Sequence, residues 1–319
     1  MIVRWGLGEV GPVISELGST RPLLVTSARL ADLDVPIEKR FTAVRRHSPV
    51  EVVRAARAAA ADADLLVGVG GGSAIDTAKA VSAETELPLL AVPTTYAGTE
   101  WTRHFGMRDE KQRKKTGGTG ARTVAIVYEP LLTLDLPLDE TVGTALNALA
   151  HCAEALYAGP LEDAVLGARL INRNLPMVVA SGHDIGARTG LLEGAMHAGR
   201  ALGERGLFLG HAIAQALGGR YDLSHGVMNA LSLPPALRFN EPVVPEALEL
   251  LGEALETADP VSRVAELAAL GGFGRLRDFG VPEDDLHPLA GDVVERAGAR
   301  ANPRPVTQAE AEQLLRSIW

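Results

Sequence analysis

The segment Leu65-Leu-Val-Gly-Val-Gly-Gly-Gly-Ser-Ala-Ile-Asp-Thr-Ala-Lys79 runs from an apolar stretch through three consecutive glycines into a helical pattern. A short apolar run of this kind reads as a strand buried on both faces, as strands of a parallel sheet are. Glycines at the turn let backbone N–H groups approach a ligand closely, and the helix N-terminus behind them offers unpaired donors and a positive dipole end. The segment therefore predicts an α/β domain with a phosphate-sized site at a strand-to-helix turn. It departs from the usual dinucleotide fingerprint, since Ser73 stands where a final Gly or Ala is expected, and from a Walker loop, since no Gly precedes Lys79. The same pattern also fits a turn that binds nothing.

Other apolar runs support the sheet. Pro22–Ser27, Phe41–Arg45, Pro88–Val92 and Thr123–Tyr128 are short and rich in Val and Leu, and Pro49–Ala61 has the composition of a crossover helix. The link between the first two runs barely meets the length of a crossover. From Leu138 onward the texture changes to Ala- and Leu-rich helical stretches. One carries a capping signal at Asp139-Glu-Thr141 and stops at Gly159-Pro160; a later one, from Gly206, reads as ending at Gly218-Gly219. The expectation is an α/β dinucleotide-binding domain with a parallel sheet over 1–137 and an all-α domain over 138–319. The 319 residues are room for about two domains. A single cysteine, Cys152, excludes an intramolecular disulfide and makes the reducing cytoplasm the expected compartment. No apolar run approaches a membrane span, and a net charge of −9 argues against nucleic acid as a partner.

Two further groups carry chemistry. The stretch Val92-Pro-Thr-Thr-Tyr-Ala-Gly-Thr-Glu-Trp-Thr102 follows a strand end, where open α/β sheets bind ligands, and Thr94, Thr95 and Thr99 can donate to ribose or phosphate oxygens. It also fits an ordinary polar loop. Asn147 and His151 are spaced i, i+4 on one helix face, as are His211 and Gln215, and His225 lies fourteen residues beyond His211. Three imidazoles from separate elements suit Zn, Fe or Ni if they converge, and are ordinary helix residues if they do not.

Taken together, Gly70-Gly-Gly-Ser-x-x-Asp76-x-x-Lys79, Pro93-Thr-Thr-Tyr-Ala-Gly-Thr-Glu100, Asn147-x-x-x-His151, His211 and His225-Gly226 resemble the iron-containing (group III) alcohol dehydrogenase family, with its dehydroquinate synthase-like fold. The maleylacetate reductase branch is the nearest match, on Tyr96, Ser48-Pro-Val-Glu-Val, Lys114-Lys-Thr-Gly117, Leu146–Glu154 and Asn302-Pro-Arg-Pro-Val-Thr307. The resemblance covers essentially the whole chain. It implies cofactor contacts at Gly70, Gly71, Gly72, Ser73, Asp76, Thr94, Thr95, Tyr96, Thr99 and Lys115, catalytic roles for His151, His211, His225, Lys115 and Tyr96, NADH or NADPH as cofactor, and a homodimer. The family's metal ligands would be His151, His211, His225 and Asn147, for Zn or Fe. Asn147 stands where an Asp is usual, which removes a negative charge and points to metal-free catalysis. Gln215 and Pro235 occupy two further positions where the family often carries His.

Between Arg103 and Arg122 lie seven basic residues, Arg103, Arg108, Lys111, Arg113, Lys114, Lys115 and Arg122, against Asp109 and Glu110. This local +5 leaves −14 for the rest of the chain. Such a strip attracts a small anionic substrate if it faces the site, and is a solvated hairpin if it does not. The resulting expectation is an NAD(P)H-dependent reductase of the maleylacetate type, transferring hydride to an enone or keto dicarboxylate in a cleft between the two domains. The alternatives are a metal-dependent alcohol dehydrogenase acting on a small alcohol or carbonyl, and a redox-neutral relative that keeps the nucleotide site. The run ending at Ser27 lacks the acidic residue that accepts from a ribose 2′-OH, and Arg29 can meet a 2′-phosphate, so the sequence leaves the choice of cofactor open.

Overall fold

The computed structural model describes residues 1–109, 114–221 and 223–319. The chain divides into two compact units, one of Met1–Thr95 with Thr99–Asp135, the other of Tyr96–Gly98 with Leu136–Trp319.

In the first unit, β1 (Ile2–Trp5), β2 (Pro22–Val25), β3 (Arg40–Phe41), β4 (Leu65–Gly70), β5 (Pro88–Pro93) and β8 (Arg122–Tyr128) form one parallel sheet in the order β1-β8-β5-β4-β2-β3. The two-residue side-chain period explains how a continuous apolar run serves two faces. Leu65, Val67 and Val69 turn to the face covered by Val10, Val13 and Ile14 of α1 (Val10–Glu16). Leu66 turns to the other, against Val53 and Ala56 of α2 (Val50–Ala59) and Ala74, Ala78 and Val81 of α3 (Gly72–Thr85). Burying one Val or Leu side chain contributes roughly 1.5–3 kcal/mol. A separate antiparallel pair, β6 (Phe105–Asp109) and β7 (Lys114–Gly118), lies outside this sheet.

Two sequence expectations change here. The run Phe41–Arg45 contributes only Phe41 to a strand, because the chain leaves the sheet edge for a turn in which His47 and Ser48 take φ of 62° and 48°. The link from β2 to β3 holds a single 3-10 turn, Ala28–Leu30, in place of a crossover helix. Arg40 fixes that loop by donating to the carbonyls of Ala31 (2.6 Å), Leu33 (2.9 Å), Val35 (3.2 Å) and Ile37 (3.0 Å).

The second unit contains α4 (Leu138–Ala155), α5 (Glu162–Ala180), α6 (Ile185–Arg205), α7 (Leu209–Tyr221), α8 (His225–Asn240), α9 (Pro245–Ala254), α10 (Pro260–Ala269), α11 (Leu286–Val294), α12 (Ala297–Arg300) and α13 (Gln308–Ser317). The N-cap of α4 is Pro137 with no side-chain cap, so Asp139 and Glu140 lie inside the first turn, where they complement the dipole. Gly218-Gly219 does not stop α7, which continues to Tyr221; the positive-φ glycine of this region is Gly206, at the end of α6. Helices α4 and α8 cross backbone to backbone: a Cβ on Gly226 would lie 2.5 Å from the carbonyl carbon of Gly143. Near the C-terminus Asn240 and Asn302 exchange amide hydrogen bonds of 2.9 and 2.7 Å, and the Arg304 guanidinium lies 3.9 Å over the Phe239 ring while donating to Phe239 O. Thr307 then caps α13 reciprocally with Glu310. Among the described residues no helix is long and apolar enough to cross a membrane.

Candidate active site

In the first unit, β4 ends at Gly70, whose φ of +144° suits glycine alone, and Gly71 begins α3 with no side chain capping it. A Cβ on Gly71 would meet the Thr95 methyl at 2.9 Å, whereas one on Gly72 would meet nothing within 4 Å. The N-terminus of α3 is thus an open, uncapped set of backbone donors, which fits the pyrophosphate of a dinucleotide. The Ser73 hydroxyl accepts from His47 N–H (2.9 Å), and Ser73 O accepts from Ser48 Oγ (2.8 Å), so this serine also fastens the strained 47–48 turn. Asp76 accepts from Gly106 N–H (3.2 Å) and ties the hairpin to α3. Thr94 N–H donates to Gly70 O (3.0 Å), which joins the carboxyl ends of β4 and β5.

Sequence reasoning assigned Lys79 no role. Its fully buried ammonium donates to Thr99 O (2.5 Å), His104 O (2.7 Å) and Thr102 Oγ1 (3.0 Å), holding the segment after the threonine loop, and burial lowers its pKa. Nearby Glu100, its pKa raised by burial, accepts from Tyr128 OH (2.7 Å), which accepts in turn from Trp101 Nε1 (2.8 Å).

The basic strip does not face one way. Arg122 opens β8 and pairs in register with Pro88, at the strand ends opposite to Gly70 and Pro93. It lines, with Arg103, Trp101 and Met1, a pocket of about 350 Å³ there. Arg108 N–H donates to Ser48 O (3.3 Å), on the side of the 47–48 turn. Lys111 and Arg113 lie outside the described residues. Lys115 is opposite Arg108 in the β6–β7 ladder, and its side chain, like that of Lys114, is outside the described part of the structure.

In the second unit Tyr96 is buried; its hydroxyl accepts from Arg188 (2.9 Å) and its N–H donates to Thr144 Oγ1 (3.2 Å). Helix α4 carries Asn147, His151 and Glu154 at i, i+4 and i+7, one face, all buried. His211 of α7 stacks on His151 with ring centroids 4.7 Å apart and planes 11° from parallel, and His225 at the start of α8 is 6.1 Å from His211. The three imidazoles do converge. Burial, then the neighbouring His211 and His225, holds the His151 pKa well below its usual value, so this ring is neutral. Asn147 donates to Ala97 O (3.2 Å) and accepts from Asn229 Nδ2 (2.7 Å). His151 Nδ1, His211 Nε2 and Asn229 Oδ1 are buried without a hydrogen-bond partner among the described residues, which leaves these atoms able to meet a ligand.

That ligand is not well matched to a metal. Zn or Fe needs in-plane nitrogen lone pairs meeting at roughly 2 Å from one point, and two face-stacked imidazoles aim theirs side by side. The Asn147 amide oxygen is engaged by Asn229, and no group of three or more His, Cys, Asp or Glu among the described residues is arranged to hold a metal ion.

Comparison with known proteins decides the family. Residues 4–128 match the iron-containing alcohol dehydrogenase model and 141–319 the C-terminal model of the Fe-containing alcohol dehydrogenase family. The chain belongs to the iron-containing alcohol dehydrogenase family. It is an NAD(P)-dependent oxidoreductase. The maleylacetate reductase of Sphingobium indicum is 37% identical, with 98% of this chain and 94% of that protein covered. Among solved structures of the family, an iron-containing alcohol dehydrogenase from Corynebacterium glutamicum superposes with a TM-score of 0.92 (32% identity, 100% of this chain, 94% of that one), and the maleylacetate reductase of a Rhizobium species with 0.90 (31%, 100% and 95%).

Glu154 was not foreseen. A glutamate on a helix reads as a solvated residue; the available signal was its place in the same-face series with Asn147 and His151, inside a stretch, Ala145 to Ala155, otherwise of Ala, Leu and Cys152.

Proposed function

We propose that this protein reduces maleylacetate, or a closely similar enone dicarboxylate, with NADH or NADPH. The observation that carries the reading is similarity over 98% of the chain to an enzyme of that name, and the convergent imidazoles beside Asn147 support it. When bound, the reduced nicotinamide supplies a hydride. The chain's own work falls to two groups of residues. The backbone of Gly70–Ser73 and the α3 dipole hold the pyrophosphate, with Asp76, Thr94, Thr95, Tyr96, Thr99 and Lys115 as further proposed cofactor contacts. His151, His211 and His225 serve the substrate: hydride addition to a double bond conjugated with a ketone puts negative charge on the ketone oxygen, and a ring N–H of His151 or His225 stabilises that charge before a proton reaches the neighbouring carbon, with His211 as the hydrogen-bond acceptor of the three. Arg108, whose main chain joins the 47–48 turn, is one basic residue of the strip proposed to favour an anionic substrate. A homodimer in the cytoplasm completes the reading.

The test is oxidation of NADH and NADPH by purified protein with maleylacetate, followed by nicotinamide absorbance, on a sample whose metal content is measured. Turnover with either cofactor, insensitive to chelator, is expected. Dinucleotide binding without turnover of maleylacetate, together with Zn- or Fe-dependent reduction of simple aldehydes, would overturn the proposal.

A further inference from the structure

We infer that Glu154 is a positioning residue for His211: it fixes the imidazole in the tautomer protonated on Nδ1 and so leaves Nε2 as the nitrogen presented to the substrate. This rests on the reading that the imidazoles serve the substrate. Glu154 is the one fully buried carboxylate of the second unit among the described residues. Its Oε2 accepts from Phe208 N–H (2.8 Å) and lies 2.7 Å from His211 Nδ1, and its Oε1 accepts from His211 N–H (3.2 Å). The two backbone donors belong to the start of α7, where helix N–H groups lack internal partners and a negative charge is favoured by the dipole. An ionised carboxylate only accepts, so the ring atom that faces it carries hydrogen. Gly210 leaves the room this needs, since a Cβ there would sit 3.0 Å from Oε1.

The stacked pair is therefore asymmetric. His211 is gripped at its main chain and at its ring by one side chain, and its Nε2 has no partner among the described residues. His151 Nδ1 has no such support. Of the two rings, only His211 has its orientation and its hydrogen set by the protein.

The experiment is a long-range ¹⁵N–¹H correlation spectrum of protein labelled at histidine, with the His211 signals assigned from His211→Gln. The wild type is expected to show hydrogen on Nδ1 and none on Nε2; the reverse overturns the inference whether or not the Glu154 variants fold. In Glu154→Gln the amide can turn either its oxygen or its nitrogen to the ring, giving up one of the two backbone N–H contacts in either case, so mixed tautomers are expected, with kcat down about 10- to 100-fold and KM for the dinucleotide unchanged. Glu154→Asp, which keeps the acid, should recover part of kcat and the single tautomer. If Glu154→Gln lowers only stability and leaves the His211 tautomer and kcat as they were, Glu154 is a helix anchor and the inference fails. Wild-type protein inactive with maleylacetate would sink the functional reading alone, because the tautomer is read without substrate.

Discussion

The glycine loop of the first unit and the histidine cluster of the second solve opposite problems. Around Gly70–Ser73 the polar groups offered to a ligand are main-chain N–H groups, made accessible by removing side chains. Around His151 they are side-chain atoms from three helices, with Asn147, His151 and His211 buried. A site of the first kind is specified locally, by a handful of neighbouring residues. The second depends on the whole packing of α4, α7 and α8.

Glycine substitutions break the comparison most directly. Gly226→Val drives a side chain into the α4 backbone, and a loss of about 3 kcal/mol is expected in urea unfolding, with the histidine cluster lost as α8 is displaced. Gly72→Val enters open space in the first unit, so stability should change by less than about 1 kcal/mol while dinucleotide affinity, read by calorimetry, falls at least about tenfold. Equal stability losses in the two variants, or unchanged dinucleotide affinity in the second, would show that the loop and the cluster are not specified differently.

A third expected effect is in pH. Because the folded pKa of His151 is depressed below its ordinary 6.5, the unfolded chain takes up a proton there that the folded chain refuses. The stability from this residue is present above about pH 6.5 and is lost as pH falls, by up to about 1.4 kcal/mol per pH unit. Urea midpoints between about pH 7.5 and 5 should show this slope in the wild type and a shallower one in His151→Gln; parallel curves would mean that the ring is solvated when folded.

The difference also explains what could be read in advance. Strands β4, β5 and β8 were legible as Leu and Val runs because both their faces are covered, whereas β1 was missed because Arg4 and Trp5 face solvent at the sheet edge. The glycine loop was legible because its chemistry is the absence of side chains in one short segment. His151, His211 and His225 were legible as residue types, but not Glu154, whose partners lie 54 and 57 positions away. Gly218-Gly219 misled for a related reason: in a helix a small residue can mean either a stop or a close packing contact, and composition alone does not distinguish the two.

The clasp between Asn240 and Asn302 also orders events in time. A chain is made from its N-terminus at roughly 5–20 residues per second, and units fold as they become complete. The first unit is fully synthesised by Asp135, while the end of α8 waits for Asn302 and Arg304, made more than 160 residues later. For several seconds of each synthesis the nascent protein therefore carries a complete glycine loop and an unclasped α8, an interval in which a chaperone has its best opportunity to act.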